Sequence, residues 1–325
     1  MTLSVSVALG TYNSARYIEP QLTSIFGQDS TIDELVVSDD SSTDGTVDLV
    51  RRIFEHGSAR STKLVLLRSR ERQGVTRNFE KAVSATTSEL VVLSDHDDVW
   101  HPDRVSKAIH AFESDEELLL QHSNARLVDA NGSPLGISLF DALGVTEAER
   151  KSISDDRAFD AYIRRNLATG ATVTFRRSVL DAALPFPPEW VHDEWLAIIA
   201  SAIGRTALLD DPLLDYRQHG NNAIGVVSPT VRYKIKRMFE ARSGRYRELS
   251  LRADVLVERL LTLGVGGTRL RLAEKKARFE RVRSNYPIRR VRRLTPIVRE
   301  YRNRSYAQLS SQGNLDVVRD LLQPA

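Results

Sequence analysis

Apolar and polar positions repeat with two different periods along the first hundred residues. Short runs at Ser4–Leu9, Glu34–Ser38, Lys63–Arg68 and Glu89–Leu93 are rich in Val, Leu and Ser, which predicts strands, mostly apolar on both faces. Between them, at about 14–28, 44–55 and 74–86, apolar residues recur at three- and four-residue steps, the spacing of amphipathic helices. Strands alternating with helices predict an α/β architecture with a mostly parallel sheet wrapped by helices. Ligands of such sheets bind beyond the carboxyl ends of the strands.

The pattern is more mixed from residue 101 to residue 225. A helix is expected over Pro102–Glu113, strands at Leu118–Ser123, Ala171–Arg176 and Thr206–Leu209, and another helix from Asp193 to Ile203. Pro185-Phe186-Pro187-Pro188 stops any helix begun near Ser178 and leaves Glu189 and Trp190 in a loop. Beyond Ser228-Pro229 the chain becomes Arg-rich and helix-favouring, with a break at Gly264–Gly267. The expected organisation is therefore a body of residues 1–228 and a basic helical region of residues 229–325.

Charge sharpens that division. The net charge of +3 hides 24 Lys and Arg against 9 Asp and Glu in residues 231–325, and the reverse excess in the acidic body. With no cysteine, disulfides and thiolate metal sites are excluded, which fits a reducing compartment. The N-terminus lacks the basic start and long apolar stretch of a signal peptide, and no apolar run reaches the roughly 20 residues of a membrane span. A cytoplasmic protein is expected, peripheral at the inner face of the cell membrane if its basic helices meet anionic lipid. Those helices, rich in Arg232, Lys234, Lys236, Arg237, Arg242, Arg245, Arg247 and Arg289–Arg293, could equally pack on the acidic body or join two copies as a homo-oligomer. No nucleic-acid-binding module is present to make nucleic acid a partner.

The polar motifs fall at the expected strand ends. Asp95-His96-Asp97-Asp98 follows the apolar run Leu90–Leu93; three crowded carboxylates call for a cation, and oxygen ligands suit Mn²⁺ or Mg²⁺. The alternative is an acidic loop in which Asp98 caps the next helix, which would occupy one acid of three. Asp39 and Asp40 follow Leu35-Val36-Val37, where carboxylates can accept hydrogen bonds from a ribose or a pyrimidine N–H. Capping of the next helix is their alternative, although Asp44 suffices for it. After the first strand, Thr11 can hydrogen-bond to a base and Tyr12 can stack on it; Tyr12 can equally be a packing residue. Arg77, near the start of a helix, can counter a phosphate or be solvated.

In the second half, Asp193 of Val191-His192-Asp193-Glu194-Trp195 opens a helix, where a general base and a helix N-cap are equally open readings. The dipole there makes it a weaker base. Arg217 and His219, in Tyr216-Arg217-Gln218-His219-Gly220-Asn221-Asn222, can meet a departing diphosphate as part of a lid, or be solvated. No Gly-x-Gly-x-x-Gly and no Gly-x-x-x-x-Gly-Lys occurs, which argues against dinucleotide oxidoreductases and P-loop hydrolases.

Together these motifs resemble family 2 glycosyltransferases of GT-A fold, over residues 3–225 or so. The resemblance implies a Rossmann-like nucleotide-binding mixed sheet with a C-terminal helical extension. It implies that Asp95-His96-Asp97 is the DXD motif, with Asp97 and Asp95 on the metal and Asp95 also facing the donor sugar or ribose, and that Asp39 and Asp40 hold the nucleobase and ribose. It also implies that Asp193 is the catalytic base and that Thr169 and Gly170, with Glu194 and Trp195, border the acceptor. Ser94–Trp100, His192-Asp193 and Tyr216–His219 are similar to the rhamnosyltransferase-like branch, which uses a dTDP-linked donor. Glu194 stands where that branch carries an aromatic residue, so which acid is the base stays open. The expected activity is inverting, metal-dependent transfer of a sugar from a dTDP- or UDP-linked donor to a saccharide or lipid-linked acceptor in surface-polysaccharide biosynthesis. A sugar nucleotidyltransferase, or a catalytically silent sugar-binding scaffold, is the rival expectation.

Overall fold

Unbroken aliphatic sequence fixes the centre of the sheet. All seven residues of β1 (Val5–Thr11), all six of β2 (Glu34–Asp39) and all five of β4 (Leu90–Ser94) are buried, while β3 (Lys63–Arg68) is partly exposed. The structure, a computed structural model, describes residues 2–56, 61–219 and 244–324. Nine strands of these residues form one mixed sheet in the order β3-β2-β1-β4-β8-β6-β9-β5, with β7 paired to β6. The remaining strands are β5 (Val99–Trp100), β6 (Leu118–Val128), β7 (Pro134–Ser138), β8 (Val173–Arg176) and β9 (Arg205–Arg217).

Helices α1 (Ile18–Phe26), α2 (Thr46–His56), α3 (Val75–Ser84) and α4 (Arg104–Ser114) follow strands as the periodicity predicts. Their buried residues, such as Ile18, Leu22 and Ile25 of α1, join Val7, Leu35 and Val92 in one core. The short helices α5 (Leu139–Leu143) and α6 (Glu147–Ser154) each begin with a capping box, Ser138 with Asp141 and Thr146 with Glu149.

The direction of the strands positions everything else. β1, β2, β3 and β4 are mutually parallel, β8 is antiparallel to β4 and β6, and β9 runs parallel to β6. The C-terminal ends of β1, β2, β4 and β9 and the N-terminal end of β8 therefore share one edge. β9 is much longer than the expected Thr206–Leu209. Ser123 pairs with Leu209 but Asn124 with Pro212, so Asp210 and Asp211 form a bulge rather than an end. That continuation delivers Arg217 to the shared edge.

Residues 2–156 and 167–219 cluster as one unit, and residues 157–166 and 244–324 as a second. The sequence reading had placed 157–166, with α7 (Ala158–Tyr162), in the body; instead Arg164 donates to the Ser310 carbonyl at 3.4 Å. The first unit also contains α8 (Val179–Ala183) and α9 (His192–Ile203). The second unit contains α10 (Arg245–Thr262), α11 (Gly267–Ser284), α12 (Arg290–Arg302), α13 (Ser305–Leu309) and α14 (Leu315–Leu322). Phe279, Tyr286, Ile297, Tyr306 and Leu309 form a small core there. The boundary expected near 228, the Gly220-Asn221-Asn222 end of the lid motif, and Arg232 to Arg242 lie outside the described residues.

Candidate active site

Parallel pairing sets Thr11 beside Asp39 at the shared edge, and Leu9 beside Ser94. Asp39 is fully buried; it accepts from the Thr11 hydroxyl at 3.0 Å and from the Ser42 backbone N–H at 2.9 Å. Neither bond caps α2. Asp44 takes that position, accepting from the Thr46 N–H at 3.1 Å, with Ala15 N–H on its other oxygen. Asp40 gives both oxygens to the loop before α3, at 2.6 Å from Gln73 N and 2.9 Å from Gly74 N. Its visible work is holding that loop closed. The same loop sets the Arg72 guanidinium over the Tyr12 ring at 4.1 Å, a stacking platform that the sequence reading half missed. Arg77, expected near phosphate, instead pairs with Glu80 at 2.6 Å along an open groove shared with Arg68, Arg70 and Lys81. An i,i+3 pair on the outer face of α3 satisfies it locally.

The acid cluster lies just past β4. The alternative in which Asp98 caps α4 fails: Asp98 is buried and accepts the Arg217 N–H at 2.9 Å, and α4 starts at Arg104. Arg217 also donates from Nε to the Asp97 carbonyl at 2.7 Å, tying β9 to the cluster. His219 Nε2 stands 2.8 Å from Asp97 Oδ2, and its ring stacks on Tyr17 with centroids 4.9 Å apart. Burial, with Asp97 and Asp193 nearby, pushes the Asp95 carboxyl up to about 7. Burial and its two acidic neighbours likewise push Asp98 well up. Arg104 is the cation facing them from behind. It is itself buried, stacked 3.9 Å over Trp100, and pushed down to about 9 by burial.

Asp193 joins this group from α9. The helix begins at His192 with Val191 as N-cap, so Asp193 is not the capping residue. Its carboxylate accepts the Gly170 N–H at 2.8 Å and the Glu194 N–H at 2.6 Å, which fixes its orientation. A Cβ at Gly170 would be tight, 3.0 Å from His192 Nε2 and 3.4 Å from Asp193 Oδ2. His192, unforeseen, lies flat on Phe79 with centroids 4.0 Å apart; burial pushes it down to about 3, so it is neutral. Burial, then Asp95, Asp98, Asp97 and Asp193, push the Tyr216 phenol well up.

The acceptor residues divide. Gly170 touches Asp193, Thr169 beside it is half-buried, and Glu194 is half-buried in the first turn of α9. Trp195 is corrected to core: it is fully buried, and its indole N–H donates to the Ala183 carbonyl at 2.8 Å. A side chain one position after Glu194 turns to the other face of the helix and meets α8.

The sequence profile of Glycosyl transferase family 2 matches residues 6–181, the stretch that builds most of this edge. The chain belongs to glycosyl transferase family 2. It is 25% identical over 256 residues to the dTDP-rhamnosyl transferase RfbG of Shigella flexneri, covering 74% of this chain and 81% of that one. An uncharacterized glycosyltransferase of Nostoc is 24% identical over 241 residues, 72% of this chain and 71% of its own. Among solved structures, residues 1–349 of Staphylococcus aureus TarS with UDP-GlcNAc superimpose with a TM-score of 0.56 at 19% identity, covering 98% of this chain and 90% of that one. A mannosyltransferase of Pyrobaculum calidifontis in complex with GDP-Man and Mn²⁺ gives 0.52 at 19% identity, over 98% and 86%. The fold is GT-A, and the chain is a glycosyltransferase.

Proposed function

We propose that this enzyme transfers a sugar with inversion, L-rhamnose from a dTDP donor, to a saccharide or lipid-linked acceptor in surface-polysaccharide assembly. The observation that carries the reading is the meeting of Asp97 and His219, which are far apart in sequence, at 2.8 Å on the shared strand edge. The RfbG likeness supports the donor assignment. The catalytic work falls to residues 1–228, with 229–325 as an appended basic region.

In this reading Thr11 and Asp39 receive the nucleobase and ribose, with Tyr12 and Arg72 stacking on the base. Asp40 keeps the loop carrying Arg72 in place. Asp193 accepts the proton of an acceptor hydroxyl while that oxygen forms a bond to the anomeric carbon. The glycosyl–phosphate bond breaks on the opposite face, and its electron pair leaves with the diphosphate. Arg217 holds the Asp97 segment against β9.

The donor set fits a divalent ion. One carboxylate and one imidazole are in reach of each other, an oxygen and a nitrogen donor that a divalent ion takes alongside substrate phosphate and water. When bound by Asp97 and His219, Mn²⁺ or Mg²⁺ would offset the negative charge growing on the leaving diphosphate. The test is transfer from dTDP-, UDP- and GDP-sugars with and without Mn²⁺, on wild type and Asp193→Asn. We expect transfer from the dTDP donor, lost in the variant while nucleotide still raises the melting temperature. Full activity in Asp193→Asn, or in the presence of a chelator, would overturn the assignment.

A further inference from the structure

Helix α12 presents its polar anchors inward and its apolar residues outward. Arg293 and Glu300 are fully buried, with Ile297 beside them. Arg293 donates to the carbonyls of Pro287, Ile288, Asp320 and Gln323 at 2.6–3.2 Å, closing the C-terminal end of α14, where helix carbonyls lack partners. Glu300 accepts from both Arg278 guanidinium nitrogens at 3.2 and 3.3 Å and from the Ser305 hydroxyl at 2.7 Å. These bonds fix the rotation of α12 about its axis.

With that rotation set, Val291, Leu294, Val298 and Tyr301 form one stripe, each between 43% and 77% exposed. An ordinary surface helix turns such a stripe to the core, so an outward one marks a surface awaiting a partner. Helical spacing puts Arg290 on one border of the stripe and Arg302 on the other; both are exposed, and no ion pair holds them among the described residues.

We propose that this face of α12 docks the protein on an anionic lipid surface. The stripe would enter the boundary between headgroups and acyl chains, with Tyr301 at headgroup depth and the arginines reaching lipid phosphates. A second copy of the same face fits less well, because a two-fold contact would bring the arginine borders together. Nucleic acid fits worse, since apolar residues rather than arginines occupy the centre. No spanning helix is needed: among the described residues none is long and apolar enough to cross a membrane. The inference is independent of the glycosyl-transfer reading, because its readout is lipid binding.

The test is co-sedimentation of the full chain with phosphatidylcholine vesicles, with and without phosphatidylglycerol, for wild type, Val291→Ser/Val298→Ser and Arg290→Ala/Arg302→Ala. Each arginine at an anionic surface is worth about fivefold in partitioning, so the arginine pair should lose roughly twenty-fivefold. The valine pair should lose at least about tenfold, since each substitution removes buried hydrocarbon. Both variants leave the inward anchors untouched and should keep the far-UV circular dichroism and soluble-acceptor transfer of wild type. Equal binding to both vesicle types, or unchanged binding by both variants, would overturn the proposal. So would analytical ultracentrifugation showing that the valine variant only splits a dimer.

Discussion

Two buried acid clusters in this protein behave in opposite ways. Beside β4, burial pushes Asp95 and Asp98 up, helped by Asp97 and Asp193 for the first and by Asp97 and Asp95 for the second, and Arg104 behind them does not offset it. Between α11 and α14, burial also raises the Asp320 carboxyl, but Arg283 outweighs it and holds it below the usual range. Arg283 grips Asp320 with two bonds of 2.8 and 2.9 Å, and the Tyr246 and Tyr306 hydroxyls donate to the same carboxylate at 2.6 and 2.8 Å. Glu280 is lowered in the same way: burial raises it, and Lys276 with Arg283 bring it down. A carboxylate network that brings its own cation holds a fold together. One that lacks it carries a standing electrostatic cost, and such costs concentrate where a ligand is to be bound.

The comparison can be broken most sharply at Asp97. Asp97→Asn should cost roughly a thousandfold in kcat/KM, about 4 kcal/mol of barrier, if a cation is held there. It should lower metal-free stability by no more than about 0.5 kcal/mol in urea unfolding, because it also relieves repulsion. The mirror experiment is Arg283→Met. It should cost about 3 kcal/mol of stability, the low end for breaking a buried pair because Lys276 still holds Glu280 at 2.8 Å, and leave activity per folded molecule unchanged.

Added Mn²⁺ at a hundredfold its Kd should then stabilise wild type by about 2.7 kcal/mol in a thermal melt, and Asp97→Asn hardly at all. Acid should separate the clusters too. Carboxylates held below their unfolded values contribute stability above about pH 4 and lose it as pH falls through the folded values. We expect the helices around Asp320 to melt as the pH drops below about 4, followed by far-UV circular dichroism. The smallest effect should come from Arg72→Ala, which removes a stacking cation and should raise the donor KM about fivefold, roughly 1 kcal/mol.

Much of the first unit was legible in order along the chain. Lys63–Arg68 was read to the residue, and the helices after β1, β2 and β3 appear where the three- and four-residue spacing puts them. Asp39, Asp95, Asp97 and Asp193 were singled out because acids at strand and helix ends are locally conspicuous. Tyr17, Arg72, Arg104 and His192 were missed, since a lone aromatic, arginine or histidine carries no local sign of what it will lie against. Trp195 was misplaced for the converse reason: motif position said nothing about which way its side chain turns. β9 was read short because two aspartates look like a strand end until pairing with β6 shows them as a bulge.

Periodicity and local composition thus determined the elements, the acidic body and the basic tail-piece, because strand and helix preferences act over a few neighbouring residues. Only the tertiary structure decided that Asp97 meets His219, that Asp193 is held by Gly170, and that α12 turns its valines outward. Each of those depends on a hydrogen bond between segments remote in sequence, whose geometry comes from strand direction and helix rotation rather than from any residue's own preference.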